Sequence, residues 1–417
     1  MQIIQRRTLL KGAAASVALS ALPVHRARAQ AQTIRIGFIG PLSGAMQIVG
    51  NPMYFGAEVA VNQINAAGGI DGRMLELVSR DDKGDPAQSV AAARELVGSG
   101  INLLVGVPLT ATALAVNGIL ASIDGVLMGS GSGEESLTHE QFSGHYFPTV
   151  PNNYTRLSAM AKLMAEKFPD VTSWTAIYPD VTVGKSSWDR MAHSLKQHYA
   201  AAGKEITILD PVTPKYGATD YKNQIVELMS SPAVGLHNVL FGNDGVTFFK
   251  QAKEFGLDEK FSAISEQSLD LDLPKTLKGG MTANTWTASF WQPEAFADSA
   301  VSRALFDAYV QKTGDRFPHG FNANADTGIQ AYAAALAATK GDTTTKAVIE
   351  ALKSAKFESP TGATYFRPED HQIINNGAAF NAIPDAADSN GWKLAEVVKV
   401  GYEAVVNPAT PGQAFQL

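Results

Sequence analysis

The chain has 417 residues, of which 45% are hydrophobic and 18% are charged, a globular composition whose length suits two domains rather than one core. It contains no cysteine, which excludes a disulfide framework, a thiolate metal site and a lipid-anchored cysteine. The formal net charge of −6 argues against nucleic acid and against anionic lipid as partners.

Residues 1–29 are predicted to be an export signal rather than part of the fold. Arg6 and Arg7, followed by two leucines and Lys11, resemble a twin-arginine signal. The mildly apolar run Ala13–Leu22 is far shorter than the ~20 residues of a transmembrane helix, and Ala27–Ala29 supplies small residues for cleavage. These criteria disfavour the alternative, a basic amphipathic helix of a cytoplasmic protein. We therefore expect a soluble periplasmic protein, exported after folding.

The first structural unit is a predicted strand, a loop of small residues and a helix. Ile34–Ile39 is a short apolar run that Gly40 and Pro41 interrupt, as at the end of a buried strand. Apolar residues then recur at helical spacing from Met53 to Ala66, before two glycines end the helix. In parallel α/β sheets the ligand binds outside the carboxyl ends of the strands. The loop 40–50, with Ser43, is therefore the first candidate binding loop.

Strands and helices continue to alternate as far as Ile264, and mainly helices follow, which predicts mostly parallel sheets with right-handed crossovers. The further predicted strands are Met74–Ser79, Ile101–Val105, Val126–Met128, Trp174–Tyr178, Ile206–Leu209, Asn238–Phe241 and Phe261–Ile264. The further predicted helices are Asp85–Val97, Thr110–Ile123, Asn152–Phe168, Lys185–Ala202, Tyr221–Met229, Gly245–Glu254, Ala295–Lys312, Asn324–Thr339 and Thr345–Lys353. The fold class is α/β, and two doubly wound Rossmann-like lobes fit the pattern better than one very wide sheet.

The opening motif carries a resemblance to a known family. The Gly-Pro-Leu-Ser-Gly turn 40–44, followed by a helix that closes on Asn-Ala-Ala-Gly-Gly-Ile-Asp-Gly-Arg at 65–73, resembles type I periplasmic solute-binding proteins. Within them the sequence is most similar to the branched-chain amino-acid (Leu/Ile/Val) binding group of ABC importers. The resemblance runs from about Ile34 to the last strands, so it spans nearly all of the chain after the signal.

This resemblance implies a two-lobed monomeric receptor without a cofactor, which closes over a small ligand and delivers it to an ABC permease. The chain is then expected to cross between lobes three times. Lobe 1 would comprise residues 30–150 and 282–359, and lobe 2 residues 151–281 and 360–417. The segment Thr361–Phe366 resembles the closing strand of the second lobe.

The resemblance also implies ligand-binding residues in the first lobe. Thr110, after Leu109, occupies the position where the family places a hydroxyl on the ligand's carboxylate, and a helix start suits an anion. The alternative is that Thr110 only caps the helix. In the turn 129–134 the family offers carbonyls and a hydroxyl to the ligand's amino group, which implies Ser130, Gly131 and Ser132 as contacts. The alternative is a flexible turn that needs glycine for its dihedral angles.

In the second lobe the implied contacts follow three strands. Glu266 matches a family glutamate that takes the ligand's ammonium, whereas an acid after a strand is otherwise usually a solvated surface residue. Val183 replaces an aromatic residue that the family often has before glycine, which leaves the ligand open. Asn243 and Asp244 belong to the other second-lobe loop at the cleft.

Catalysis has little support in the sequence. There is neither an H-E-x-x-H motif nor a P-loop, and His193 and His198 do not share a helix face. The acidic run 81–86 does not have the spacing of an EF-hand, so no metal site is predicted. The alternatives are a receptor for an aromatic or other small carboxylate or an amide, and an exported hydrolase or oxidoreductase. A sensory role also stays open.

Overall fold

The computed structural model describes residues 33–282 and 284–417, so the predicted export signal lies outside the described residues. The strands in these ranges are β1 (Ile34–Gly40), β2 (Leu75–Asp81), β3 (Leu103–Gly106), β4 (Val126–Gly129), β5 (Tyr146–Pro148), β6 (Ser173–Ile177), β7 (Thr207–Ile208), β8 (Gly235–Asn238), β9 (Ala263–Glu266), β10 (Thr285–Ser289), β11 (Lys356–Ser359), β12 (Gly362–Phe366), β13 (Ile373–Ile374), β14 (Asn376–Pro384) and β15 (Trp392–Gly401).

The helices lie between these strands and cover the sheets. They are α1 (Gln47–Ala66), α2 (Pro86–Gly98), α3 (Thr110–Asn117), α4 (Leu120–Ile123), α5 (Asn153–Lys167), α6 (Thr182–Ala201), α7 (Lys222–Ser230), α8 (Gly242–Glu254), α9 (Leu257–Lys260), α10 (Asp272–Leu277), α11 (Ala300–Thr313), α12 (Asn322–Ala338) and α13 (Thr345–Leu352). In the part of the chain that the structure describes, no helix is both long enough and apolar enough to cross a membrane.

Two large sheets repeat one strand order. The first sheet has the order β2-β1-β3-β4-β5 with every pair parallel. The second has the order β15-β14-β10-β9-β8-β6-β7, in which β6 to β10 are parallel and β14 and β15 form an antiparallel edge. The parallel strands of the second sheet therefore repeat the order of the first. The prediction of two doubly wound α/β lobes is confirmed.

Local sequence signals explain where several helices begin and end. Helix α1 ends where predicted, because Gly68 and Gly69 adopt positive φ angles of 101° and 73°. It begins at Gln47, six residues before the predicted start, so Pro52 lies inside it. Helix α2 begins as predicted, with Pro86 in its first turn and the Asp85 carboxylate accepting a hydrogen bond from the Gln88 amide at 2.8 Å.

Each large sheet has an apolar core on both of its faces, which is the expected burial pattern for parallel strands. Ile36, Phe38 and Val105 pack with the buried face of α12 on one face of the first sheet. Leu104 and Leu127 pack under α2 and α3 on the other. The second sheet has two corresponding cores, one that includes Phe248 of α8 and one that includes Trp174 of β6.

Two of the predicted lobe crossings lie at the wrong place. The chain does not leave the second sheet near residue 281, because β10 pairs in parallel with β9. It also does not return near residue 360, because β11, β12 and β13 form a separate small sheet. Phe366 and Ile373 of that sheet pack in the core of the first sheet, so Thr361–Phe366 is not a strand of the second sheet. The chain rejoins the second sheet only at β14.

Candidate functional site

The two large sheets each have a point where the strand order reverses, and ligand crevices form there at the carboxyl ends of the strands. In the first sheet this point lies between β1 and β3, and in the second between β6 and β8. The loops that follow these strands are residues 41–46, 107–109, 178–181 and 239–241. Nine of the ten predicted ligand contacts lie in these loops, in the turn after β4 or in the first helical turn that follows a loop. The tenth, Glu266, is the last residue of β9.

Two predicted residues of the first lobe meet directly. The Thr110 and Ser132 hydroxyl oxygens are 3.2 Å apart, although the residues come from loops after different strands. Glycine at 131 allows this approach, since a Cβ there would lie 2.7 Å from the Pro108 carbonyl oxygen. Leu109, not Thr110, is the N-cap of α3, and no side chain caps this helix. Thr110 is exposed, so its hydroxyl is available to a ligand.

Two other predicted contacts of the first lobe are occupied within the protein. Ser130 is completely buried, and its hydroxyl donates to the Met128 carbonyl at 3.1 Å. A direct role for the Ser130 hydroxyl in ligand binding therefore has no support from the geometry. Ser43 is exposed, but its hydroxyl donates to the Asp81 carboxylate, which also accepts from the Leu42 amide. Ser43 thus holds the first loop against the end of β2.

The second-lobe rim carries exposed apolar side chains. Val183 is 52% exposed and Tyr216 is 61% exposed, and the Tyr216 ring lies 5.3 Å from the ring of Phe241. Asn243 is exposed, whereas Asp244 is buried and accepts a hydrogen bond from the Gly217 amide at 2.7 Å. Asp244 therefore fixes the loop that carries Tyr216.

Glu266 is fully buried with one of its two carboxyl oxygens unpaired. Its Oε1 atom accepts hydrogen bonds from the amides of Ser268 and Leu269. Its Oε2 atom has no hydrogen-bond partner among the described residues. Burial raises the pKa of this carboxyl to about 8, although the backbone donors oppose the shift. Glu266 is therefore not the solvated surface acid of the alternative interpretation, and it can donate a proton or, once ionised, accept one.

The charge of this acid acts on a cation that the sequence analysis missed, Arg156. Arg156, in the first turn of α5, is half-buried and carries its guanidinium carbon 4.1 Å from the centre of the Phe290 ring. Burial lowers the pKa of Arg156, whereas the nearby Tyr402, Asp270 and Glu266 raise it. The only signal in the sequence was a single arginine near the start of a predicted helix. The structure shows that its neighbours Thr155 and Leu157 are buried.

Three rings continue from Arg156 in a row. Phe290 lies 5.6 Å from Phe321, and Phe321 stacks on His319 with ring centres 4.3 Å apart. Asp270 fixes the segments that carry these rings, because its Oδ2 atom accepts hydrogen bonds from the Ser289 hydroxyl and from the Gly320 amide, both at 3.0 Å. His319 lies 3.6 Å from the same oxygen. Sequence patterns could not bring these residues together, since they come from three separate segments.

One ion pair joins the two halves of the molecule next to this region. Glu135, just after β4, receives two hydrogen bonds from Arg190 of α6 at 2.7 and 2.9 Å, and one from the Tyr154 amide at 2.8 Å. Burial raises the pKa of Glu135, and the Arg190 charge opposes this effect. The pair was not predicted, because its partners are 55 residues apart in the sequence.

No cluster of potential metal ligands occurs among residues 33–282 and 284–417. The groups described above are of kinds that bind small organic ligands. They are two hydroxyls on the first lobe, a buried carboxyl, a guanidinium and a row of aromatic rings.

Comparisons with known proteins agree with this architecture. A family model for periplasmic binding proteins matches residues 33–387. The leucine-, isoleucine-, valine-, threonine- and alanine-binding protein of Pseudomonas aeruginosa is 28% identical over 343 residues, which are 80% of this chain and 85% of that protein.

Two solved structures show the same fold at low identity. The closed leucine-, isoleucine-, valine-, threonine- and alanine-binding protein of Brucella ovis has a TM-score of 0.79 at 18% identity, over 92% of this chain and 99% of that chain. A solute-binding protein of an ABC transporter from R. palustris in complex with benzoate has a TM-score of 0.69 at 16% identity, over 91% and 99% of the two chains. Because the family model spans most of the sequence, the chain belongs to the periplasmic binding protein family.

Proposed function

We propose that this protein is the substrate-binding receptor of an ABC importer. In this role it captures a small carboxylate-bearing ligand between its two lobes and presents it to a permease in the inner membrane. The observation that carries the proposal is the pair of matched sheets, whose binding loops supply hydroxyls at Thr110 and Ser132 and an unpaired buried carboxyl at Glu266. One chain supplies both halves of the cleft, so we propose that it acts as a monomer.

The first candidate ligand is a branched-chain or related amino acid. The relatives from P. aeruginosa and B. ovis are named for such ligands. An α-amino acid has a carboxylate for Thr110 and an ammonium for Glu266, and a buried ammonium requires an acidic partner. Closure of the lobes would then be favoured only by as much as the ligand binds the closed state better than the open one.

The second candidate is an aromatic or other small carboxylate without an ammonium group. Arg156 and the rings of Phe290 and Phe321 favour it, since a guanidinium and aromatic walls suit such a molecule. The R. palustris protein that shares the fold was crystallised with benzoate.

The test of the receptor proposal is binding without conversion. Purified protein at a known concentration is dialysed against leucine and against benzoate, and bound and free ligand are analysed by mass spectrometry. We expect one ligand per chain, returned unaltered. A ligand at a free concentration of 100 Kd should also raise the free energy of unfolding by about 2.7 kcal/mol. Conversion of the bound ligand would show that the protein is an enzyme of the alternative class.

We propose further that the protein reaches the periplasm through a twin-arginine signal. The supporting observations are Arg6, Arg7 and Lys11 in the sequence and the family of the chain. Replacing Arg6 and Arg7 together by lysine keeps the charge and removes the guanidinium geometry. We expect the precursor to stay in the cytoplasm, while the control Arg26→Lys is exported. Normal periplasmic accumulation of the double variant would contradict this route.

A further inference from the structure

Arg156 has a binding capacity that the protein itself does not use. A guanidinium presents five N–H donors in a planar fork. No hydrogen bond and no ion pair to the Arg156 side chain occurs in the described ranges, where its guanidinium lies over the Phe290 ring. By contrast Arg190, on the next helix, is held by two hydrogen bonds to Glu135. A half-buried cation without an anion is costly, and such groups are normally paired.

The two nearby acids do not satisfy this cation. Asp270 is already bound by the Ser289 hydroxyl and the Gly320 amide, and it lies beside His319. Glu266 holds the amides of Ser268 and Leu269 with one oxygen, and burial favours its neutral form. A ligand anion can therefore take the place opposite Arg156 without displacing an internal partner.

The surface next to Arg156 is aromatic. Phe290 follows β10 and Phe321 precedes α12, so both lie where the chain passes between the two large sheets. Both rings are half-buried, whereas the neighbouring Trp291 is completely buried. Each ring thus keeps accessible surface, and Asp270 fixes the backbone that carries them. Aromatic pairs with offset or tilted rings at these distances attract one another, so the ring of a ligand can join the row favourably.

We propose that Arg156 binds the carboxylate of the ligand and that Phe290 and Phe321 contact a flat aromatic ring attached to it. The inference rests on the proposed receptor function and narrows the ligand to aromatic monocarboxylates. It assigns the carboxylate to the second lobe, whereas the resemblance assigns it to Thr110.

Charge explains why such a ligand is favoured over an α-amino acid at this position. The ammonium of an amino acid lies next to its carboxylate, so it would approach the Arg156 cation. Glu266 offsets that repulsion only when it is ionised, and its pKa of about 8 makes ionisation unfavourable at neutral pH. An aromatic acid has no ammonium, and it meets Glu266 as a neutral hydrogen-bond donor. Benzoate is the simplest probe of this class.

The experiment compares benzoate with benzamide and with leucine by calorimetric titration. Wild type is expected to bind benzoate and to prefer it over the uncharged benzamide. Arg156→Gln should weaken benzoate at least about 30-fold, the effect of removing one partner of a buried charge pair, and should abolish the preference over benzamide. Arg156→Lys keeps the charge without the planar set of guanidinium donors, so it should retain part of the preference for benzoate over benzamide. If the glutamine variant does not fold, the lysine variant tests whether Arg156 binds the carboxylate.

Matched variants separate the ring contacts from general damage. Phe290→Leu and Phe321→Leu should each weaken benzoate about 2- to 10-fold. Arg94→Gln, which removes an exposed arginine of α2, should change nothing. Benzoate binding that Arg156→Gln leaves unchanged would overturn the inference and leave the receptor proposal intact. Leucine binding without benzoate binding would have the same effect. If no small carboxylate binds wild type, the receptor proposal itself is wrong.

Discussion

In the site that we propose, the protonation state of Glu266 would decide which kind of ligand is accepted. It is the last residue of β9, fully buried, and only one of its oxygens is bonded. A protonated carboxyl donates to a neutral or anionic ligand, whereas an ionised one attracts an ammonium. Since its pKa is raised to about 8 by burial, the neutral form prevails at pH 7.

Glu266→Gln should distinguish ligands with an ammonium group from those without. Breaking a buried charge pair costs roughly 3–5 kcal/mol, and ionising a carboxyl of pKa about 8 at pH 7 consumes about 1.4 kcal/mol of that. We therefore expect leucine affinity to fall by roughly 2–4 kcal/mol, or about 30- to 1000-fold. Titration calorimetry measures the change, and benzoate is the control ligand, whose affinity should change little. Unchanged leucine binding would remove Glu266 from the site.

Two buried carboxyls also give the ligand-free protein an unusual dependence of stability on pH. Burial raises the pKa of Glu266 and of Asp326 to about 8, against ordinary values near 4.5 and 3.8. At pH values between these ordinary pKa values and about 8, the folded state therefore still holds protons that the unfolded state has already released. Their contribution to stability is complete at low pH and is lost as the pH rises through 8. We expect a higher unfolding temperature at pH 6 than at pH 8.5.

Thermal unfolding in a pH series checks this, with Glu266→Gln and Asp326→Asn as comparisons. Each variant removes one titrating group, so its unfolding temperature should fall less between pH 6 and pH 8.5 than that of wild type. A wild-type unfolding temperature that rises over this interval would contradict the raised pKa values.

The residue scale also shows what sequence could and could not predict about the site. Thr110 and Ser132 were implied by the family resemblance, and the structure brings their hydroxyls together. Ser130 was predicted with equal reason, yet its hydroxyl turns to the Met128 carbonyl. Side-chain direction within a turn is a tertiary property, and the sequence contains no periodicity that reports it. For the same reason Arg156 was not predicted.

At the scale of elements, the contact between α1 and α12 holds the first lobe together. The two helices approach so closely at Gly56 that an added Cβ would overlap the carbonyl oxygen of Asn322. Ala57 and Ala60 of α1 pack in the same core as Ala331 and Ala335 of α12. Small residues at these positions set the distance between the helix axes.

Gly56→Ala should therefore destabilise the protein although alanine favours a helix. A clash with backbone cannot be relieved by a rotamer change, and overpacking costs typically about 1–3 kcal/mol. The matched control is Gly98→Ala at the end of α2, where a Cβ meets no atom within 4 Å. That variant should be neutral or stabilised by up to about 1 kcal/mol. Urea unfolding measures both, and equal stability of the two variants would show that the helices can separate without cost.

The alternation of strands and helices as far as β9 was predictable, whereas two of the three crossings between lobes were not. Alternation is visible in local periodicity, and it predicts mostly parallel sheets with right-handed crossovers. Strand β10 and two strands of the small sheet, β11 and β13, were not predicted at all. Which sheet they join depends on partners far along the chain, such as β9 for β10 and the core around Phe366 for β12.

At the scale of the whole molecule, the Glu135–Arg190 pair joins the two lobes close to the first crossing between them. Glu135 also accepts from the amide of Tyr154, and Gly133 accepts from the amide of Asn153, so residues 133–135 enclose the start of α5 directly after the first crossing. The Phe415 ring near the end of the chain covers this place, in contact with His139, Tyr154 and Arg190. We expect contacts this close to the crossing to persist when the lobes open and close by a hinge motion.

Arg190→Gln should consequently reduce stability without reducing ligand affinity. Glu135 is 1% exposed and Arg190 is 16% exposed, so the pair is not completely buried. The free energy of unfolding should therefore fall by an amount near the lower end of the roughly 3–5 kcal/mol that breaking a buried pair costs. Lys185→Gln, which breaks the exposed Lys185–Asp189 pair of the same helix, should cost far less, because solvent screens that pair. Urea unfolding measures the stability of both variants, and calorimetric titration measures their affinity for whichever ligand wild type binds. A tenfold loss of affinity in Arg190→Gln with unchanged stability would mean that the pair forms only when the lobes close, which would make it a latch of the closed state.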